Sequence, residues 1–234
     1  MIKNMDDIST KILKFHTQLD GDENHRYKSW EHCYTYFMQD KVVVDTACLQ
    51  MAFYLASWGM YRGSSFLLWK DYLIHKEVVE YLLQNKHLQK LSFTNTTDEE
   101  IQEIFDLMSW IKGWYQNNIH FVNGEKKKVN VTDTLATKII LGALGCIPAY
   151  DRYFIDGIRN KGLSYSGLKP KNFSSVVNFY KKNHSSFSYA SNEILKKSGA
   201  SYPPMKLVDM YFWEIGYELD ILKAKKQNKK NLEV

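Results

Sequence analysis

The sequence predicts an all-α protein, a single helical domain of about nine helices over residues 1–224. Three observations carry this. Apolar residues recur at three- and four-residue spacing along most of the chain, the period of a helix with one buried face. No stretch alternates apolar and polar residues with the period of two that a half-buried strand needs. Only 4 Pro and 12 Gly interrupt 234 residues, which favours long elements over many short ones.

The elements follow in order. Met5 to Leu19 places Ile8, Ile12, Phe15 and Leu19 on one face. Gly21 to Asn24 is a polar break, and Tyr27 to Met38 then aligns Trp30, Tyr34 and Phe37. Val42 to Tyr61 is richly apolar and is expected to form a central buried helix. Gly63-Ser64-Ser65 makes a turn with a candidate N-cap. One helix is expected from Phe66 to Leu83, with Phe66, Trp69, Leu73, Val78 and Leu82 on its apolar face. Thr97-Asp98-Glu99-Glu100 has the form of a capping box and opens a helix carrying Ile101 to Tyr115. The lysine-rich stretch 123–131 reads as a loop and is the candidate subdomain boundary. Thr132-Asp133 starts the next helix, which runs into Gly142 and Gly145. Pro148, suited to the first position of a helix, is expected to restart the chain as a helix to about Arg159, with Asp151 in its first turn. Asn172 to Lys182 and Ser188 to Lys197 are amphipathic. Pro203-Pro204 introduces a strongly apolar last helix, Met205 to about Lys223. The basic tail 225–234 is expected to be solvated and disordered.

Composition bounds the class. Hydrophobic residues make up 44% and charged residues 24%, a balance that supports a packed core. The net charge of +5 is modest and does not by itself demand a nucleic-acid partner. Cys33, Cys48 and Cys146 show no C-x-x-C spacing and are odd in number, so neither a disulfide framework nor a zinc knuckle is expected, and the compartment is expected to be the reducing cytoplasm. The opening MIKNMDDISTKILKF carries acidic residues and no long apolar core, unlike a signal peptide. Gln50, Ser57 and Arg62 interrupt the apolar stretches, so no membrane span is expected. The histidines are scattered and no metal site is expected. G-x-G-x-x-G, Walker and G-x-S-x-G sequences are absent, which argues against a standard nucleotide-binding or hydrolase fold, and no cofactor is expected.

Four segments concentrate residues that can do chemistry. Arg26-Tyr-Lys-Ser-Trp-Glu-His32 resembles the R-x(4–6)-H signature of the HEPN superfamily, helical bundles of which many cut RNA. The resemblance implies His32 as acid or base and Arg26 as the group that stabilises phosphorane charge. The alternative is a helix start at which both residues pair with nearby carboxylates. In Ser57-Trp-Gly-Met-Tyr-Arg-Gly-Ser-Ser65, Arg62 lies between apolar helices, and Ser64 and Ser65 offer hydroxyls and amides at a helix start, suited to an anion. Asp71 and His75, four residues apart, are expected to share one helix face, so that Asp71 orients His75 as a base. The alternative is an Arg62–Asp71 pair that fastens two helices.

Leu141-Gly-Ala-Leu-Gly-Cys-Ile-Pro-Ala-Tyr-Asp151 resembles the helix-hairpin-helix of DNA glycosylases and related DNA-binding proteins. That hairpin offers backbone amides to a DNA phosphate and is followed by a catalytic aspartate, so the resemblance makes Asp151 a candidate. Cys146-Ile147-Pro148 stands where the hairpin has Gly-h-Gly, and Asp151 stands closer to the turn than the family's aspartate. The alternative is a carboxylate placed by the helix dipole, with Arg152 exposed. In Tyr202 to Gly216, Asp209 and Glu214 lie on a helix apolar on most sides. Each needs a partner if buried, with Arg62, Lys138 and Arg152 as candidates. Over most of its length the chain also resembles an uncharacterised bacterial all-α protein family, through HRYKSWEHCY, LASWGMYRGSSFL, GCIPAYDRYF and YPPMKLVDMYFW. That resemblance implies no activity.

Arg26, Arg62 and Arg152, in aromatic-rich and glycine-broken contexts, suit phosphate contact combined with base stacking. The expected function is therefore interaction with nucleic acid, as a nuclease or glycosylase-like enzyme. Its candidate catalytic residues are His32, His75, Asp71 and Asp151, and its candidate binding residues Arg26, Arg62, Ser64, Ser65 and Arg152. The competing expectation is a structural or interaction protein whose polar residues are buried ties and whose aromatics form a core or a homo-oligomer interface. A small-molecule enzyme with His75 as base is a third. If Arg62, Asp71, Asp151 and Asp209 line one open cleft, a site is favoured; if they are buried and mutually paired, an interaction protein is.

Overall fold

The computed structural model describes residues 6–232, with side chains through residue 228. Among the described residues the chain forms ten α-helices and one two-stranded hairpin, the all-α architecture expected. The helices are α1 (Asp7–Asp20), α2 (Ser29–Met38), α3 (Val44–Ser57), α4 (Lys76–Gln84), α5 (Asp98–Asn118), α6 (Asp133–Ala143), α7 (Arg152–Asn160), α8 (Pro170–Lys182), α9 (His184–Ser198) and α10 (Pro204–Leu232). Met5, the expected start of the first helix, lies outside the described residues. Asp6 caps α1 instead, accepting the Ser9 amide at 2.9 Å. Thr97 and Glu100 form the capping box that opens α5.

Three expectations need correction. Phe66 to Leu83 is not one helix. Two short 3₁₀ turns, Phe66–Trp69 and Tyr72–His75, precede α4. Ser65 Oγ accepts the Leu67 amide at 3.3 Å and Asp71 Oδ1 accepts the Leu73 amide at 2.7 Å. Such local bonds close tight turns and compete with the α-helical ladder. As a result Trp69 and Leu73 are exposed, although Phe66, Val78 and Leu82 are buried. Pro148 does not begin a helix either. The chain stays non-helical to Asp151, whose amide donates to the Ala149 carbonyl at 2.8 Å; Asp151 is itself the N-cap of α7 and accepts the Phe154 amide at 3.1 Å. Finally, stretch 123–131 is not all loop. It contains most of an antiparallel hairpin of β1 (Phe121–Val122) and β2 (Glu125–Lys126), turned by Asn123 and Gly124 at φ 54° and 80°. Asn-Gly is the preferred pair for such a turn, while strands of two residues are too short to show alternation.

α10 continues as helix through the basic positions 225–232. Val234 and its neighbour, and the side chains from residue 229 onward, lie outside the described residues. Among the described residues no helix is long and apolar enough to cross a membrane.

The core is built around α6 and the first half of α10, which are buried on nearly every side from Leu135 to Ala143 and from Met205 to Ile215. α10 packs against α7 with almost no space between backbones. A Cβ at Gly157 would stand 2.0 Å from the Phe212 carbonyl oxygen, and one at Gly216 would stand 1.9 Å from that of Tyr153. Only glycine at both crossings permits this approach. The end of α6 is closed from the side. Trp30 Nε1 donates to the Leu141 carbonyl at 3.0 Å and Gln89 Nε2 to that of Ala143 at 2.8 Å. These bonds satisfy carbonyls that a helix terminus leaves without partners.

Candidate functional site

The segment between α6 and α7 is held by three side chains. The Ala149 amide donates to Asp209 Oδ1 at 3.0 Å, the Tyr150 amide to Thr137 Oγ1 at 3.0 Å, and Thr134 Oγ1 donates to the Tyr150 carbonyl at 2.8 Å. α6 and α10 thereby fix the backbone on which Asp151 sits. Asp151 Oδ1 caps α7, and its Oδ2 faces Lys138 Nζ on α6 at 3.3 Å. Lys138 is buried, also donates to the Trp58 carbonyl at 3.2 Å, and lies 5.2 Å from the centre of the Trp58 ring. Burial pushes the Lys138 pKa down, against the pull of Asp151.

Behind this pair lies a second one. Lys206 and Asp209, one turn apart on α10, are both buried and meet at 3.0 Å. The Lys206 ammonium sits 5.0–5.4 Å from the ring centres of Trp30, Trp58 and Phe15, an aromatic cage for a cation. Burial raises the Asp209 pKa, and Lys206 opposes that shift. A narrow crevice touches all four charged residues. Asp209 therefore takes Lys206 as its partner, and Glu214 takes Lys14 at 2.8 Å. None of the expected partners Arg62, Lys138 and Arg152 pairs with either carboxylate. Lys206 did not stand out in the sequence. The sequence carries only their three-residue spacing, which puts the two on one face of a helix apolar on most sides and so makes them neighbours; their burial follows from packing.

Lys138 and Asp151 also border an open cavity of about 440 Å³. Arg26, Arg62 and Arg152 stand in its wall, with Tyr27, Trp58, Tyr153 and Trp213 as its aromatic surfaces. The Tyr27 and Trp58 rings are stacked at 4.1 Å and 18°, and Tyr153 meets Trp213 edge-on at 5.1 Å. Arg152 is held by Asp220 at 3.0 Å and lies over the Tyr153 ring. The three arginines come from three separate segments of the chain and are brought together only by the fold.

The remaining candidates lie elsewhere. His32 is exposed on α2 and does not line the cavity that Arg26 lines. Ser64 and Ser65 line a second cavity that shares Arg62 with the first. The helix they were expected to start is a 3₁₀ turn of four residues, too short to build an anion site from its dipole. Asp71 is exposed and caps the next turn. It neither orients His75 nor pairs with Arg62, because the helix that would have put Asp71 and His75 on one face does not form. His75 is fully buried between two tyrosines. Its Nε2 is 2.8 Å from the Tyr61 hydroxyl and its Nδ1 2.5 Å from that of Tyr115. Desolvation pushes its pKa down to about 3, so at neutral pH it is an uncharged core residue.

Cys33, Cys48 and Cys146 are buried free thiols. Among the described residues no three His, Cys, Asp or Glu side chains gather closely enough to hold a metal ion. Comparison with known proteins returned no match: no protein-family model, no curated protein and no solved structure is similar to this chain.

Proposed function

We propose that the arginine-rimmed cavity binds a nucleotide unit of nucleic acid, with the base against the aromatic wall and phosphates on the arginines. The observation that carries this is the convergence of Arg26, Arg62 and Arg152 on one open cavity walled by Tyr27, Trp58 and Trp213. Guanidinium groups bind phosphate oxygens in pairs; Tyr27 and Trp58 are already stacked on one another, so a base would lie against the aromatic edges of the wall. Lys138 and Asp151, at the buried side of the same cavity, are the groups that would touch the sugar or base. A desolvated amine beside a carboxylate suits a glycosylase-like enzyme, whereas the His32 that nuclease chemistry would use lies outside the cavity.

Tryptophan fluorescence tests this, because Trp58 and Trp213 line the cavity. Titration with single-stranded oligonucleotides should quench it, with an affinity that falls as salt rises. Arg26→Gln, Arg62→Gln and Arg152→Gln should each weaken binding and flatten the salt dependence, by roughly 0.7 in log–log slope for each phosphate-neutralising cation removed. Absence of binding to single- and double-stranded DNA and RNA at every salt concentration overturns it.

A second reading, a structural or interaction protein, is favoured by one observation. Lys206 and Asp209 are buried and mutually paired, as a core tie would be. Its test is self-association: sedimentation that is independent of concentration counts against a homo-oligomer.

A further inference from the structure

We infer that the cavity on the other side of Arg62 is a second phosphate subsite, so that the ligand is a strand of two or more nucleotides rather than a free nucleotide. This rests on the nucleotide pocket proposed above and extends it.

The second cavity is open and also measures about 440 Å³. It shares Gly59, Met60 and Arg62 with the first. The Arg62 guanidinium lies close over Gly59: a Cβ there would stand 3.0 Å from both its Nε and Cζ, and φ at +76° favours glycine at this position. Lys127 and Lys128 come from the end of the β1–β2 hairpin, and no aspartate or glutamate lines this cavity. The first cavity, by contrast, holds Asp151 among its cations. A wall with three cations and no carboxylate is built for an anion that brings no positive charge of its own.

The lysines are presented by an anchored element. Val122 and Val129, on either side of them, are buried, and the Lys127 amide donates to the His120 carbonyl at 2.9 Å. Ser64, Ser65 and Asn130 add hydroxyl and amide groups to the same wall. Cations thus run from Arg26 and Arg152, through Arg62, to Lys127 and Lys128. A continuous basic track beside aromatic rings is the arrangement that follows a single strand, with bases on one side and backbone on the other.

Chain length of the ligand is the discriminating variable. The probes are adenosine 5′-monophosphate and a 5′-phosphorylated tetra-adenylate, each as ribose and as deoxyribose, titrated against the whole chain and a Lys127→Ala/Lys128→Ala variant. Both lysines are exposed, so the variant keeps the fold. The tetranucleotide should bind at least about tenfold tighter than the mononucleotide, the gain expected from a few added charge-assisted hydrogen bonds. The double variant should lose most of that gain and about 1.4 of log–log salt slope, roughly 0.7 for each cation removed, while binding the mononucleotide as before. Equal affinity for the two lengths, or a length gain that survives the double variant, overturns the second subsite and leaves the first pocket standing. Binding of neither length overturns both. Whichever sugar shows the length gain identifies the strand as RNA or DNA.

Discussion

Lys138 Nζ and Asp151 Oδ2 lie 3.3 Å apart on opposite sides of the turn between α6 and α7, and the same aspartate caps α7 with its other oxygen. One side chain therefore starts a helix, neutralises a buried ammonium and faces the candidate site. Asp151→Asn keeps an oxygen for the Phe154 amide but removes the charge opposite Lys138, whereas Asp151→Ala removes both. Loss of one partner of a buried pair costs about 3–5 kcal/mol, and loss of an N-cap about 1 kcal/mol. Urea unfolding should rank wild type above Asp151→Asn above Asp151→Ala. Identical midpoints for the two variants would show that the cap contributes nothing.

The Lys206–Asp209 pair invites a double-mutant cycle. Asp209→Asn retains an oxygen for the Ala149 amide, and Lys206→Met keeps the length of the side chain in its aromatic cage. Each single change leaves a lone buried charge. The pair of changes leaves none, so the double variant should be more stable than additivity predicts by about 1–3 kcal/mol. Additive losses would mean that the two groups do not stabilise one another.

Gly157 and Gly113 should respond in opposite directions to alanine. At Gly157 the new Cβ meets the Phe212 carbonyl oxygen of α10, forcing the helices apart at a cost of about 3 kcal/mol or more. At Gly113, inside α5, nothing lies within 4 Å of the new carbon. There alanine should stabilise by about 0.5–1 kcal/mol through helix propensity alone. Thermal melts of the two variants check both signs.

Acid should destabilise the fold partly through His75. Its pKa is near 6.5 when exposed and about 3 in the fold. Between these values the unfolded chain binds a proton that the folded chain excludes. The stability this histidine allows is thus complete above about pH 6.5 and declines as pH falls toward 3, by up to about 1.4 kcal/mol per pH unit. His16, whose pKa burial also lowers, acts in the same direction. His75→Gln, which can still bond the tyrosines, should be less stable at neutral pH but flatter in its pH dependence. An unchanged slope of unfolding free energy against pH would remove His75 from the acid response.

Part of the candidate site is legible in the sequence. Arg26, Arg62 and Arg152 stood out because each interrupts aromatic, glycine-broken sequence, and all three reach one cavity. Asp151 stood out because it follows a helix-ending turn. His75 and Asp71 misled, because an i, i+4 relation means proximity only inside an α-helix, and the side-chain caps at Ser65 and Asp71 replace that helix with 3₁₀ turns. Lys127 and Lys128 looked like an ordinary solvated run, and nothing in their own segment announces the arginine that faces them.

The sequence by itself determined what short-range physics controls: apolar periodicity for the helices, and Thr97 and Glu100 for a capping box. Only the tertiary structure decided which charges are dry and which share a cavity. Lys138 is named by the sequence only as a possible partner for Asp209 or Glu214, and Lys206 reads like any other lysine, until α3, α6 and α10 close around them. Desolvation and convergence are set by packing among segments far apart in the chain, and no local pattern encodes them.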